Sequence, residues 1–132
     1  MEEKKKNEKK LMLPDRPLTG EDIINIIPKL KIKHFRGVFS RDNLPKKPYK
    51  NESAIINLDS SSGSGTHWVS YYRLKDKIIY FDPFGDLAPP IEVQNYFKGQ
   101  NISYNYTNYQ KYNTYICGHL CIEFLQWMSQ LP

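Results

Sequence analysis

The sequence predicts a single α+β domain in which a mainly antiparallel central sheet carries a cysteine-bearing C-terminal helix on one face. Three observations lead there. The chain has 132 residues, close to the commonest size of one folding unit, and its 10 Tyr, 6 Phe and 2 Trp provide apolar volume for a core. Helix and strand signals alternate in the order α-β-β-β-β-α-β-α. Finally, Ile116, Leu120, Phe124, Trp127 and Leu131 recur at helical offsets, which predicts a terminal helix with that stripe laid against the sheet.

Met1 to Lys10 carries five lysines against three glutamates, so only +3 of the net charge of +5 belongs to the remaining residues. Residues 1–17 are expected to form a basic, disordered tail, and 18–132 the domain. The tail reads first as a solubility device. A weak grip on DNA, or a nuclear import signal, is the lesser reading. No uncharged apolar run approaches the roughly 20 residues a membrane span needs, and the lysine-rich start lacks the apolar stretch of a secretory signal. The protein is therefore expected to be soluble, intracellular and without a membrane partner.

The first helix begins at Thr19, which can cap it with Asp22 as the reciprocal partner. Pro28 should stop it after Ile27. Lys33 to Phe39 and Ser53 to Leu58 read as strands, separated by a segment containing Pro45 and Pro48. Asp59 to Gly65 is rich in Ser and Gly and reads as a flexible loop. Thr66 to Arg73 and Lys77 to Asp82 then form a hairpin. Pro89-Pro90 opens a short helix through Phe97 that Gly99 can end, and Ile102 to Tyr106 is a further strand.

The hairpin carries a specific expectation. With an even-numbered loop, cross-strand partners sum to an odd number, and His67 and Asp82 meet that condition. They then share a face, directly opposite in one register or diagonal in the next, with Cβ atoms roughly 5 to 8 Å apart. A carboxylate there can accept the imidazole Nδ1 proton and leave Nε2 as a base. A three-residue loop would separate them. From the hairpin alone, the plainer reading is a half-exposed histidine and an aspartate forming a turn before Pro83.

Cys117 stands at the start of the terminal helix, where unsatisfied N–H groups and the helix dipole favour thiolate. Cys121 lies one turn further in, near the apolar stripe. The spacing suits one helix face and fits disulfide geometry poorly, so both are expected to be reduced. A free cysteine is more often an inert core residue than a nucleophile, but its place at a helix start shifts the balance for Cys117. Gly118 removes a side chain beside the thiol, so a substrate backbone could approach. Metal binding is the competing chemistry. His119 points away from the face shared by Cys117 and Cys121, and no second Cys/His pair exists to complete a tetrahedral site. No metal or other cofactor is expected.

Taken in order, Gly65-Thr-His67-Trp68, Tyr80-Phe-Asp82-Pro-Phe-Gly85, Gln110 and Cys117-Gly118 resemble the adenovirus-type cysteine protease family, of one clan with the SUMO-specific proteases. The resemblance extends from about Leu18, through Phe35-Arg-Gly37-Val-Phe39, to the last helix. It implies an adenain-like fold and a thiol protease in which Cys117 is the nucleophile, His67 the general base, Asp82 its orienting acid, and Gln110 an oxyanion donor beside the cysteine N–H. Trp68 resembles a tryptophan that lines a channel for a Gly-Gly tail in the SUMO-specific branch. A core aromatic is the equal alternative, because strand alternation turns it away from His67. The compact form is similar to the proteases of virophages and Polinton-type elements.

The function implied is maturation of viral or mobile-element capsid and core proteins by cleavage at Gly-containing sites. The enzyme would act as a monomer on protein substrates, in the host nucleus or the virion if viral. Two alternatives stand beside it: a deconjugase for ubiquitin-like tails, and an idle protease fold kept as a binding module for DNA or a capsid protein. The sequence also departs from the adenoviral pattern. No cysteine precedes Cys117, so covalent activation by a disulfide-bonded peptide is not expected.

Overall fold

The computed structural model describes residues 13–59, 67–111 and 114–132. The loop expected at Asp59 to Gly65 therefore lies mostly outside the described residues, as do Gly65 and Thr66 of the first motif. The first helix, α1, spans Gly20–Ile26 and is capped as the sequence predicts. The Thr19 side chain accepts from the Asp22 N–H at 3.0 Å, and the Asp22 carboxylate accepts from the Thr19 N–H at 2.8 Å. Pro28 falls inside a 3-10 turn, Ile27–Lys29, that closes the helix.

Five strands form one sheet in sequence order: β1 Phe35–Ser40, β2 Asn51–Asn57, β3 Trp68–Leu74, β4 Lys77–Phe81 and β5 Ile102–Tyr104. The helix α2, Ile91–Tyr96, precedes β5, and α3, Cys117–Gln130, ends the order. The expected element order is present. The central strands β2, β3 and β4 are antiparallel, but both outer pairings, β1 with β2 and β4 with β5, are parallel. The sheet is thus mixed. Each parallel edge follows a connection long enough to carry the chain back along the sheet, which α2 does between β4 and β5.

The β3–β4 turn is the two residues Lys75 and Asp76, and Leu74 pairs with Lys77. Of the two registers the sequence allows, this is the diagonal one. One face of the sheet packs Ile55, Tyr72 and Phe81 against Ile23 of α1 and Cys121, Ile122 and Leu125 of α3. The other packs Ile56, Val69, Tyr71 and Tyr80 against Val93 and Tyr96 of α2 and the following Phe97. Helices therefore cover both faces, and β3, whose residues are buried from Trp68 to Arg73, runs through the middle.

Two expectations are corrected. Leu120 and Phe124 of the predicted stripe pack at the edge of the core, but the fully buried face of α3 is Cys117, Gly118, Cys121, Ile122, Leu125, Met128 and Ser129, one position round from it. Trp127 and Leu131 are exposed, at 59% and 43%. The period was right and the phase was not, because the small residues Cys, Gly and Ser are what allow the helix to approach β3 closely. The second correction concerns the N-terminal boundary. Residues 13–17 are not a free tail: His119 Nε2 donates to the Pro14 carbonyl at 2.7 Å, and the Tyr115 hydroxyl donates to the Asp15 carboxylate. Leu13 packs against the core, and Arg16 pairs with Asp22.

On the α2 face, Glu52 is fully buried. It accepts hydrogen bonds from the Tyr71 and Tyr96 hydroxyls and the Tyr49 N–H, and it pairs with Arg36 at 3.1 Å. Glu52→Ala would strand these donors, so it is expected to destabilise the fold by about 3 kcal/mol, read as a lower urea midpoint at unchanged m. A shift within experimental error would show that solvent replaces the carboxylate.

Candidate active site

The open end of the β3–β4 hairpin delivers His67 and Asp82 to one place, as the register requires. His67 Nε2 lies 2.9 Å from Asp82 Oδ1. This reverses the expected use of the ring. Asp82 takes the Nε2 proton, so Nδ1 is the nitrogen left for the sulfur. Strand pairing fixes which side chains share a face, not which edge of the ring meets the carboxylate.

The Asp82 carboxylate is held in turn. Its Oδ1 also accepts the Phe84 N–H at 3.0 Å, in a tight turn closed by the Gly85 N–H donating to the Asp82 carbonyl at 2.9 Å. Gly85 has φ +81°, and a Cβ there would lie 2.4 Å from the Thr107 carbonyl oxygen. Only glycine fits. The turn also places the Phe84 ring over the imidazole, with centroids 4.7 Å apart and an interplanar angle of 16°. Sequence reasoning read Asp82-Pro83-Phe84-Gly85 as a turn and missed this second function of Phe84. An aromatic residue two positions after the aspartate was the available signal.

Cys117 opens α3, and its sulfur accepts the Trp68 backbone N–H at 3.4 Å. Burial pushes the thiol up. Hydrogen bonding to His67, the Trp68 and Gly118 N–H groups and the imidazolium charge outweigh it, and the thiol falls below its ordinary range. His67 shows the complementary balance. Burial pulls it down, but the bonds and charges of Asp82 and Cys117 lift it to about 9. A thiolate beside an imidazolium is the state these shifts favour. Cys121 behaves oppositely: it is fully buried beside Ser70, and burial pushes it well above the ordinary thiol range.

The thiol and imidazole titrate as a pair, so any reaction that uses both charges would show two limbs in its pH profile. The rate should rise as Cys117 loses its proton, below the ordinary thiol value, and fall near pH 9 as His67 loses its own. The raised His67 value also has a stability consequence of definite sign. The stabilisation is fully present below about pH 6.5 and is lost as pH rises through about 9. Thermal melts across this range should therefore fall more steeply in the parent protein than in Asp82→Asn. Parallel curves would remove the carboxylate from the account.

Trp68 is buried in the core cluster that contains Leu18 and Cys117, with Nε1 donating to the Leu18 carbonyl at 2.9 Å. Its backbone, not its ring, meets the sulfur. Gly118 packs closely against the core. A Cβ there would meet Trp68 Cδ1 at 3.1 Å and Leu18 Cβ at 3.2 Å, so the missing side chain makes room for the core. Gln110 is buried, and its Nε2 donates to the Thr114 carbonyl at 3.1 Å, in the segment that leads into α3. Among the described residues, no group of three His, Cys, Asp or Glu side chains could hold a metal, and no helix is long and apolar enough to cross a membrane.

Neither a protein-family model nor a curated protein matches the sequence. The fold is similar to that of the SUMO protease Ulp1, solved with its catalytic cysteine oxidised to a sulfinic acid. The TM-score is 0.56 and the identity 16%, over 88% of this chain and 68% of that one. An ASFV protease aligns at a TM-score of 0.48 and 20% identity over 65% of this chain, which spans 37% of that protein. The likeness to Ulp1 establishes the architecture: a small α+β domain with a mixed five-stranded sheet.

Proposed function

We propose that this chain is a cysteine endopeptidase of the adenovirus-protease type, with Cys117 as nucleophile, His67 as general base and Asp82 as the group that holds His67. The observation carrying this reading is one connected path. The Trp68 N–H and His67 engage the Cys117 sulfur, and His67 Nε2 engages Asp82 at 2.9 Å. The fold's likeness to a SUMO protease supports it.

The chemistry follows from the pairing. The thiolate attacks the scissile carbonyl carbon, and the oxygen becomes negative. The imidazolium gives its Nδ1 proton to the departing amine, and a thioester remains. The neutral imidazole then draws a proton from water, whose oxygen attacks the thioester and releases the acid. Asp82 holds the ring in one orientation while its charge changes. The oxyanion requires donors. An amide –NH2 offers two, of which Thr114 takes one from Gln110, and the second serves the oxygen together with the Cys117 N–H. Gln110→Ala is expected to lower kcat by roughly 100- to 1,000-fold with little change in KM. Unchanged kcat would remove Gln110 from the oxyanion site.

Protein substrates cut at Gly-containing sites, in capsid or core proteins, fit this reading. Cleavage within short Gly-containing peptides, with no labelling by a reactive ubiquitin-like protein, is the expected result. Labelling of Cys117 by the ubiquitin-like reagent would favour a deconjugase, the reading the SUMO protease likeness also suggests.

A further inference from the structure

The parallel ladder between β4 and β5 ends at the pairing of Tyr80 with Tyr104. Asp82 lies two residues beyond that point, where no backbone partner from β5 reaches it. The Asn105 side chain takes that partner's place. Its Oδ1 accepts the Asp82 N–H at 2.9 Å, and its Nδ2 donates to the Asp82 carbonyl at 2.8 Å. Both polar groups of the Asp82 backbone are thus held by one carboxamide, in the manner of a neighbouring strand. Nδ2 donates also to the Thr107 carbonyl at 3.1 Å, which fixes the plane of the amide.

Two backbone bonds extend the same seam. The Asp86 N–H donates to the Asn105 carbonyl at 2.8 Å, and the Tyr109 N–H to the Pro83 carbonyl at 2.8 Å. The residue after Tyr109 is Gln110. One seam therefore joins the turn that carries Asp82 to the segment that carries the oxyanion glutamine. The clasp matters because the carboxylate itself is held from one side only. Oδ1 carries both the His67 and the Phe84 bonds, while Oδ2 is buried with no hydrogen-bond partner among the described residues. The orientation of the carboxylate then depends on where its backbone is fixed.

We propose that Asn105 is a positioning residue for the reaction: by clasping the Asp82 backbone it sets the carboxylate against His67 and so maintains the charged thiolate–imidazolium pair. The inference rests on the peptidase reading and adds to it a residue that touches neither substrate nor thiol. Without the clasp Asp82 can withdraw, and the imidazolium loses its main support. His67 then gives up its proton at lower pH, and Cys117 holds its own to higher pH. The two limbs of the pH profile move toward each other.

The test is the rate of iodoacetamide alkylation at Cys117, read by mass spectrometry from pH 5 to 10, for the parent protein, Asn105→Ala and the volume-matched Asn105→Leu. In both variants the alkylation limb should move to higher pH and the upper limb of peptide turnover to lower pH, with both rates near pH 7 reduced by about tenfold to a hundredfold. A lower amplitude with unmoved limbs would show a purely structural role and overturn the proposal. Should both variants unfold, the intact protein still decides. The side-chain amide NMR signals of Asn105 should shift with the titration of His67, and signals that stay fixed through it would refute the coupling. A parent protein with no thiolate-like alkylation limb would instead refute the peptidase reading, so the two failures are distinguishable.

Discussion

Cys117→Ala is expected to reduce turnover of a cleavable Gly-containing peptide by about 10,000-fold or more, whereas Cys121→Ser retains most of it. The contrast tests the site because the two thiols belong to one helix and differ only by a turn. Cys117 meets the Trp68 and Gly118 N–H groups and His67, which stabilise its anion. Cys121 is fully buried, beside Ser70, where an anion has no compensating charge. Removing the Cys117 sulfur deletes the proposed nucleophile. Replacing the Cys121 sulfur with oxygen alters a packed group outside the proposed site. Initial rates should be compared on variants whose thermal melts match the parent. Equal inactivation by both substitutions in folded protein would refute the assignment.

His67→Ala has the next largest expected effect. The imidazole supplies the strongest of the influences that oppose burial at Cys117. Without it the backbone N–H groups must offset burial alone, and the alkylation midpoint of Cys117 should rise to or above the ordinary thiol value of about 8.5. The upper limb near pH 9, which belongs to His67, should disappear. Peptide turnover should fall by about 1,000-fold or more, since the proton acceptor and donor is lost with the thiolate. An unchanged alkylation profile would mean that the helix terminus and its backbone donors activate the thiol unaided.

Much of this site was legible because it depends on periodicities that the sequence states directly. The parity of His67 and Asp82 about a two-residue turn put both side chains on one face, and Thr19 with Asp22 marked a helix start through a local reciprocal bond. The position of Cys117 at the first turn of α3 followed from the onset of the apolar pattern. What escaped depends on contacts between distant segments. Ile116, Leu120 and Phe124 have the right period, yet the buried phase is set by Gly118 fitting against Leu18 and Trp68. The parallel edges were hidden because strand patterns carry no direction. Pro14 and Asp15 looked like part of a charged tail, since their partners, His119 and Tyr115, lie about a hundred residues away. The edge of the imidazole that meets Asp82 is a matter of side-chain geometry beyond any spacing rule.

The bond from the Trp68 N–H to the Cys117 sulfur spans 49 positions of sequence. In an unfolded chain that sulfur is an ordinary, sluggish thiol, because its two strongest activating neighbours, His67 and the Trp68 N–H, lie far away in sequence, at the start of β3 and the residue before it. Its reactivity is therefore acquired when α3 docks on the sheet. A pulse of alkylating reagent during refolding would read that moment directly, making the sulfur a built-in clock for the consolidation of the domain.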